Sequence, residues 1–142
     1  MKLGIKKLHS NAELPEFQTE GAACFDLVAT GRESYMGGML YGTGIAMDIP
    51  DGYHVKIYSR SGHGFKHGIR LANGTGIIDS DYTGEVMVKL VSDTDVPHFD
   101  WPYVGDRIAQ AMLCRNVKTE IVEVEEIKKT KRGDKGFGST GK

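Results

Sequence analysis

The chain has 142 residues, enough for one domain with a real core, and its net charge of −1 gives no overall basic field to favour nucleic acid. Hydrophobic residues make up 39% without a long apolar run, which excludes a membrane-spanning helix, and "MKLGIKKLHS" lacks a signal peptide's apolar stretch. Cys24 and Cys114 are too few for a disulfide framework and read as free buried thiols of a soluble intracellular protein. In chain order, the first marked segment is "AACFDL", a strand-like apolar run that contains Asp26. "GIAMDI" alternates Ile45, Met47 and Ile49 against Ala46 and Asp48, and Pro50-Asp51-Gly52 then supplies a turn. "YHVKIY" sets Tyr53, Val55 and Ile57 on one face, with His54, Lys56 and Tyr58 on the other.

Ser61 to Gly68 has room for a single helical turn, weakened by its glycines. Asn73-Gly74 marks another turn, and "GEVMVKLV" puts Val86, Val88 and Leu90 on one face. The apolar and aromatic residues of "DVPHFDWPYVGD" read as packing at a loop edge, with Trp101 in core or interface rather than at a ligand. "VKTEIVEVEEI" is the best helical candidate by period, but its β-branched residues favour a strand. From Lys128 the apolar pattern stops, and Lys128, Lys129, Lys131, Arg132 and Lys135 gather in a detached, basic, glycine-rich arm. Many short strands with glycine-rich turns predict an all-β jelly roll, sandwich or barrel.

Several nucleotide and metal patterns fail on mechanism. "GFGSTGK" satisfies both G-x-G-x-x-G and G-x-x-x-x-G-K, yet each needs a following helix whose N-terminal amides hold phosphate, and the chain stops at Lys142. His63 and His67 have a helical metal-ligand spacing but no glutamate follows His63. "DSDYTGE" begins like a calcium loop, but its twelfth position is Leu90.

Five clusters remain: "AACFDL", "SRSGHG", "NGTGIIDSDYTGE", "GDRIAQ" and "RGDKGFGSTG". Taken singly, each has a bland reading as turn, core or surface ion pair. Together they hold arginines and amides for a polyphosphate, carboxylates for a metal or water, and aromatics for a base.

In order and spacing these clusters resemble the five motifs of the trimeric dUTPase family, from Ala22 to Gly141. The resemblance implies a distorted jelly-roll-like β domain over 1–127, with a flexible C-terminal arm over 128–142 that closes a neighbouring subunit's site. It implies a homotrimer that hydrolyses dUTP to dUMP and pyrophosphate with Mg2+, and no membrane or nucleic-acid partner. The expected location is the cytoplasm, or the host cytoplasm or nucleus for a viral protein. Rival readings are a dCTP deaminase-like or bifunctional enzyme of the same fold, and a dUTP-sensing regulatory protein.

By the same resemblance, Asp79 activates the attacking water and Asp26 holds metal through bound water. Arg60, Ser61, the Gly62 amide and Gln110 line the phosphates. Asn73, Gly76 and Ile77 read the uracil, and Tyr82 packs under the deoxyribose, excluding a 2′-hydroxyl. In the arm, Phe137 covers the base, Arg132, Ser139 and Thr140 approach the γ-phosphate, and Gly138 is also a substrate-binding position. Arg107 fits a structural salt bridge to Asp26 or Asp106 at least as well as ligand contact. His63 stands where the family often carries an apolar residue.

Overall fold

A computed structural model of the chain describes residues 1–95 and 100–136. Its elements in order are β1 (Gly4–Lys7), β2 (Phe25–Val28), β3 (Gly31–Tyr35), β4 (Gly38–Gly42), β5 (Ile45–Asp48), β6 (Tyr53–Tyr58), α1 (Ser61–His67), β7 (Ile69–Leu71), β8 (Gly76–Ile78), β9 (Met87–Ser92) and β10 (Arg107–Arg115). All strand pairings are antiparallel. They form two four-stranded sheets, β2-β10-β6-β8 and β3-β4-β9-β7, and a small β1-β5 ribbon.

Alternation in the sequence becomes the core. Val55 and Ile57 of β6, with Leu27, Ile108, Ala109 and Ala111 of its sheet, are buried. From the other sheet, Tyr41, Val88, Leu90, Ile69 and Leu71 are buried into the same cluster. Each of the Val, Leu and Ile side chains among them contributes roughly 1.5–3 kcal/mol of transfer free energy relative to exposure. Trp101 packs against this cluster as a partly buried residue, as its composition predicts. In β5, Ala46 is buried along with Ile45 and Met47, because β1 pairs alongside and a small side chain fits the second face.

Turn chemistry follows the residues. Gly52 and Gly74 hold φ of 80° and 69° in the turns that Pro50-Asp51-Gly52 and Asn73-Gly74 predict. The β3–β4 hairpin turns on Met36 and Gly37, both with positive φ, the backbone signature of a two-residue primed turn. Between Arg107 and Ala109 the β10–β2 register slips by one residue, so Ile108 is the extra residue of a bulge.

Two expectations change. The stretch after Arg60 forms the seven-residue α1 rather than one turn, because Gly68 ends it in the left-handed conformation and bonds back to the carbonyls of His63 and Gly64. Residues 117–127 form no strand, although their β-branched content favours one. Val117, Ile121 and Ile127 are 84%, 96% and 85% exposed, and the segment has no partner strand among the described residues. β-propensity needs a neighbouring edge to act.

Candidate active site

The first group of site residues is built on the β2-β10-β6 ladder. Asp26 pairs with Gln110, and Gln110 pairs with Tyr58, so one cross-strand row carries the carboxylate and the amide. Phe25 and Leu27 point into the core, which turns Asp26 to the opposite face. There its Oδ1 receives Arg60 Nε at 3.2 Å and its Oδ2 receives Arg107 Nη1 at 3.2 Å. Of the two carboxylates considered for Arg107, Asp26 is its partner, while the Asp106 carboxylate accepts from the Tyr103 amide.

Arg60 also donates to the Arg107 carbonyl at 3.0 Å, and His63 Nε2 donates to that same oxygen at 2.9 Å. This histidine fastens the first turn of α1 to the start of β10. Arg60 is the N-cap residue of α1 but supplies no side-chain cap, which leaves the first amides, around Ser61 and Gly62, without a capping side chain. Gly62 has open space where a side chain would stand. Gln110 Nε2 donates to the Ser59 carbonyl at 2.9 Å, so it is anchored beside this turn.

The second group lies on the β7–β8 hairpin and the loop after it. Gly76 packs against β6 so closely that an added Cβ would lie 3.1 Å from Ile57 Cβ. Asn73 and Gly76 help line a cavity of about 290 Å³ with Ile57, Leu71, Val88 and Lys89. Ile77 is 59% exposed on the outer face of β8. Asp79 is exposed at the loop's start, and no hydrogen bond or ion pair occupies its carboxylate among the described residues. Tyr82 donates its phenolic hydroxyl to the Glu85 carbonyl at 2.9 Å.

Besides the β6–β8 ladder, Ser59 ties the two groups. Ser59 Oγ accepts the Leu71 amide at 2.9 Å, while its carbonyl receives Gln110. Sequence reasoning passed over Ser59, His63 and Glu85 as site-building residues. For Ser59 the available signal was a small hydroxyl at the exit of a strand just before an arginine. Arg132 makes a local bond, Nε to the Lys135 carbonyl at 2.9 Å, and is exposed. The expected roles of Phe137, Gly138, Ser139 and Thr140 lie outside the described residues.

With this geometry, the comparisons with known proteins are decisive. The dUTPase family model matches residues 10–141. The chain belongs to the dUTPase family. A deoxyuridine 5'-triphosphate nucleotidohydrolase of Nautilia profundicola is 48% identical, with all of both chains covered. Its counterpart in Wolinella succinogenes is 44% identical over 100% of this chain and 95% of its own. The dUTPase of Staphylococcus bacteriophage 80alpha, solved with dUPNHPP, superposes at a TM-score of 0.82 with 26% identity, covering 99% of this chain and 98% of that one. The jelly-roll-like β fold of dUTPases is the fold of this chain. No helix among the described residues is long and apolar enough to cross a membrane.

The donor set of this dUTPase site also bears on metal. No cluster of three or more His, Cys, Asp or Glu among the described residues could cage an ion. Both Asp26 oxygens already receive a guanidinium, but each keeps a second lone pair that could accept from a metal-bound water. That fits an ion held mainly by substrate phosphates and its own hydration shell, as Mg2+ prefers. Beside Asp26, burial raises the Cys24 thiol pKa first, and the negative charges of Asp26 and a Cys114 thiolate raise it further.

Proposed function

We propose that this member of the family binds dUTP and cleaves it to dUMP and pyrophosphate by in-line attack of water on the α-phosphorus. Asp79 takes the proton of that water as the new P–O bond forms, and the bond to the bridging oxygen of the β-phosphate breaks. The observation that carries the reading is the free, exposed Asp79 carboxylate beside a hairpin that presents Asn73, Gly76 and Ile77, while the other carboxylate, Asp26, is neutralised by two arginines.

Uracil is selected by the fixed donors and acceptors of the hairpin together with Asn73. Cytosine would leave buried groups unpaired there. Tyr82 forms the floor under the deoxyribose and excludes a 2′-hydroxyl. Arg60, the Ser61 hydroxyl, the Gly62 amide and Gln110 hold the phosphate chain, and the planar guanidinium fork suits oxyanions. Asp26 would hold Mg2+ through metal-bound water. Bound there, Mg2+ would supply charge neutralisation for the departing pyrophosphate.

The working unit is a homotrimer whose sites combine residues of different subunits. The exposed Val117, Ile121, Val122, Val124 and Ile127 are apolar surface suited to cover by another copy. The domain over 1–127 carries the fold, and the arm over 128–142 closes a neighbour's site, with Phe137 over the base, Arg132, Ser139 and Thr140 at the γ-phosphate, and Gly138 also at the substrate. Closure excludes bulk water.

Pyrophosphate release from dUTP by wild type and Asp79→Asn tests the reaction, with dCTP as a control. Turnover retained in the variant, or ammonia released from dCTP, would sink it. Light scattering tests the assembly, and a fully active monomer would contradict it.

A further inference from the structure

Glu85 is charged and half-buried, and the site as described uses none of its side chain. The fold nevertheless shapes a socket around it. One carboxylate oxygen accepts the Gly44 amide at 2.8 Å. A Cβ added at Gly42 would come within 2.8 Å of that same oxygen. Gly44 itself holds φ of +66°, and a Cβ there would lie 2.9 Å from Ala12 Cβ. Gly42 therefore leaves room for this carboxylate, while Gly44, in a backbone conformation that favours glycine, presents the amide that binds it.

The same turn grips the chain just beyond Glu85. Buried Thr43 donates its hydroxyl to the Val86 carbonyl at 2.6 Å, and the Val86 amide donates to the Ile45 carbonyl at 2.9 Å. On the other side, the Glu85 carbonyl receives the Tyr82 hydroxyl at 2.9 Å. Gly84 must lack a side chain there, since a Cβ would sit 2.6 Å from the Tyr82 oxygen. The tyrosine is thus bonded to a backbone unit whose own side chain is bolted to a turn of the core.

We infer that Glu85 is a positioning residue for sugar selection, which stiffens the Tyr82 ring as the wall that rejects a 2′-hydroxyl. The inference rests on the role proposed above for Tyr82. A wall that rejects a single hydroxyl works only if it cannot retreat by about an ångström, because loose support forfeits discrimination before it forfeits binding. Tyr82 is 45% exposed, so packing alone does not hold it. The bonded path through Glu85 to Gly44 supplies the resistance.

The test compares kcat/KM for dUTP and UTP in wild type, Tyr82→Ala, Glu85→Ala, Glu85→Gln and Gly42→Ala, using the full chain. Glu85→Ala should narrow the dUTP-over-UTP ratio by about tenfold, the scale of one lost charge-assisted hydrogen bond. Glu85→Gln keeps an acceptor for the Gly44 amide and should hold the ratio within about twofold of wild type. Gly42→Ala crowds the carboxylate from outside and should shift the ratio as Glu85→Ala does, which serves if the latter fails to fold. A ratio that stays at the wild-type value in Glu85→Ala and Gly42→Ala, while Tyr82→Ala narrows it, overturns the inference alone, whatever the melting temperatures. Glu85→Gln behaving like Glu85→Ala also overturns it. An unchanged ratio in Tyr82→Ala removes the sugar-selecting role of that residue and this inference with it.

Discussion

The Asp26 group and the Asn73–Tyr82 group are held in opposite ways. Around Asp26 the side chains are already satisfied: two guanidiniums meet one carboxylate, and Gln110 and His63 are tied to backbone carbonyls. On the hairpin it is the backbone that is fixed, by pairing with β6, while Ile77 and Asp79 stand exposed. On the proposed reading, polyphosphate meets charges held in advance, which limits reorganisation on binding. On the same reading, a base edge and an attacking water meet rigid main chain and the exposed Asp79 carboxylate.

Asp79→Asn should break this contrast most severely. Its amide cannot take the proton, so kcat should fall by about 1,000-fold, within the range for a lost general base, with the melting temperature unchanged. Pyrophosphate release and calorimetry on one preparation separate the two effects. Deleting residues 132–142 asks whether a third region completes the site without supporting the fold. We expect kcat to drop by about 100-fold, the scale of lost positioning, with the trimer intact by light scattering. Near-normal activity after that deletion would reduce the arm to a tail.

Asp26→Ala should do what neither of those does and lower stability as well as activity. Breaking a buried pair costs about 3–5 kcal/mol. Here the Arg60 and Arg107 side chains are 25% and 44% exposed, so about 2 kcal/mol is expected in urea unfolding. A variant as stable as wild type would mean that the node is not preorganised.

The smallest effect lies away from the site. Burial pushes the Tyr41 hydroxyl pKa up to about 12 from 10.0, and it donates to the Pro102 carbonyl at 2.9 Å. The folded chain holds this proton above pH 10 while the unfolded chain releases it. The resulting stability is complete below pH 10 and is lost as pH rises toward 12, by about 2 kcal/mol. Tyr41→Phe should cost about 1 kcal/mol at pH 8 and flatten that alkaline loss. An equally steep alkaline loss in the variant would assign it to another group.

Much of this was legible in the letters, for identifiable reasons. Period-two alternation in "YHVKIY" and "GEVMVKLV" reports burial on one face, and Val55, Ile57, Val86, Val88 and Leu90 are buried accordingly. Family membership was readable because the five clusters follow the dUTPase motifs in order and spacing, and the family model matches residues 10–141. Three things were not readable. The α1 helix depends on Gly68 as its terminator, and glycine counts against helix when scored by propensity alone. Residues 117–127 carry strand composition without a partner, a tertiary fact. Ser59, His63 and Glu85 act through backbone atoms brought close by the fold, and no spacing in the sequence encodes such a contact.

The bulge at Ile108 has a consequence for how this chain can vary. Ala109 and Ala111 face the core opposite Leu27 and Phe25, so an uninterrupted strand would send Arg107 inward with them. The extra residue restores Arg107 to the side of Asp26 and still lets Ile108 be fully buried. Substitutions along β10 can be judged one side chain at a time. Insertions cannot, since one added residue between Arg107 and Gln110 exchanges the inward and outward sets. A change in chain length is therefore better taken up between β9 and β10 or beyond Arg115, outside these two strands.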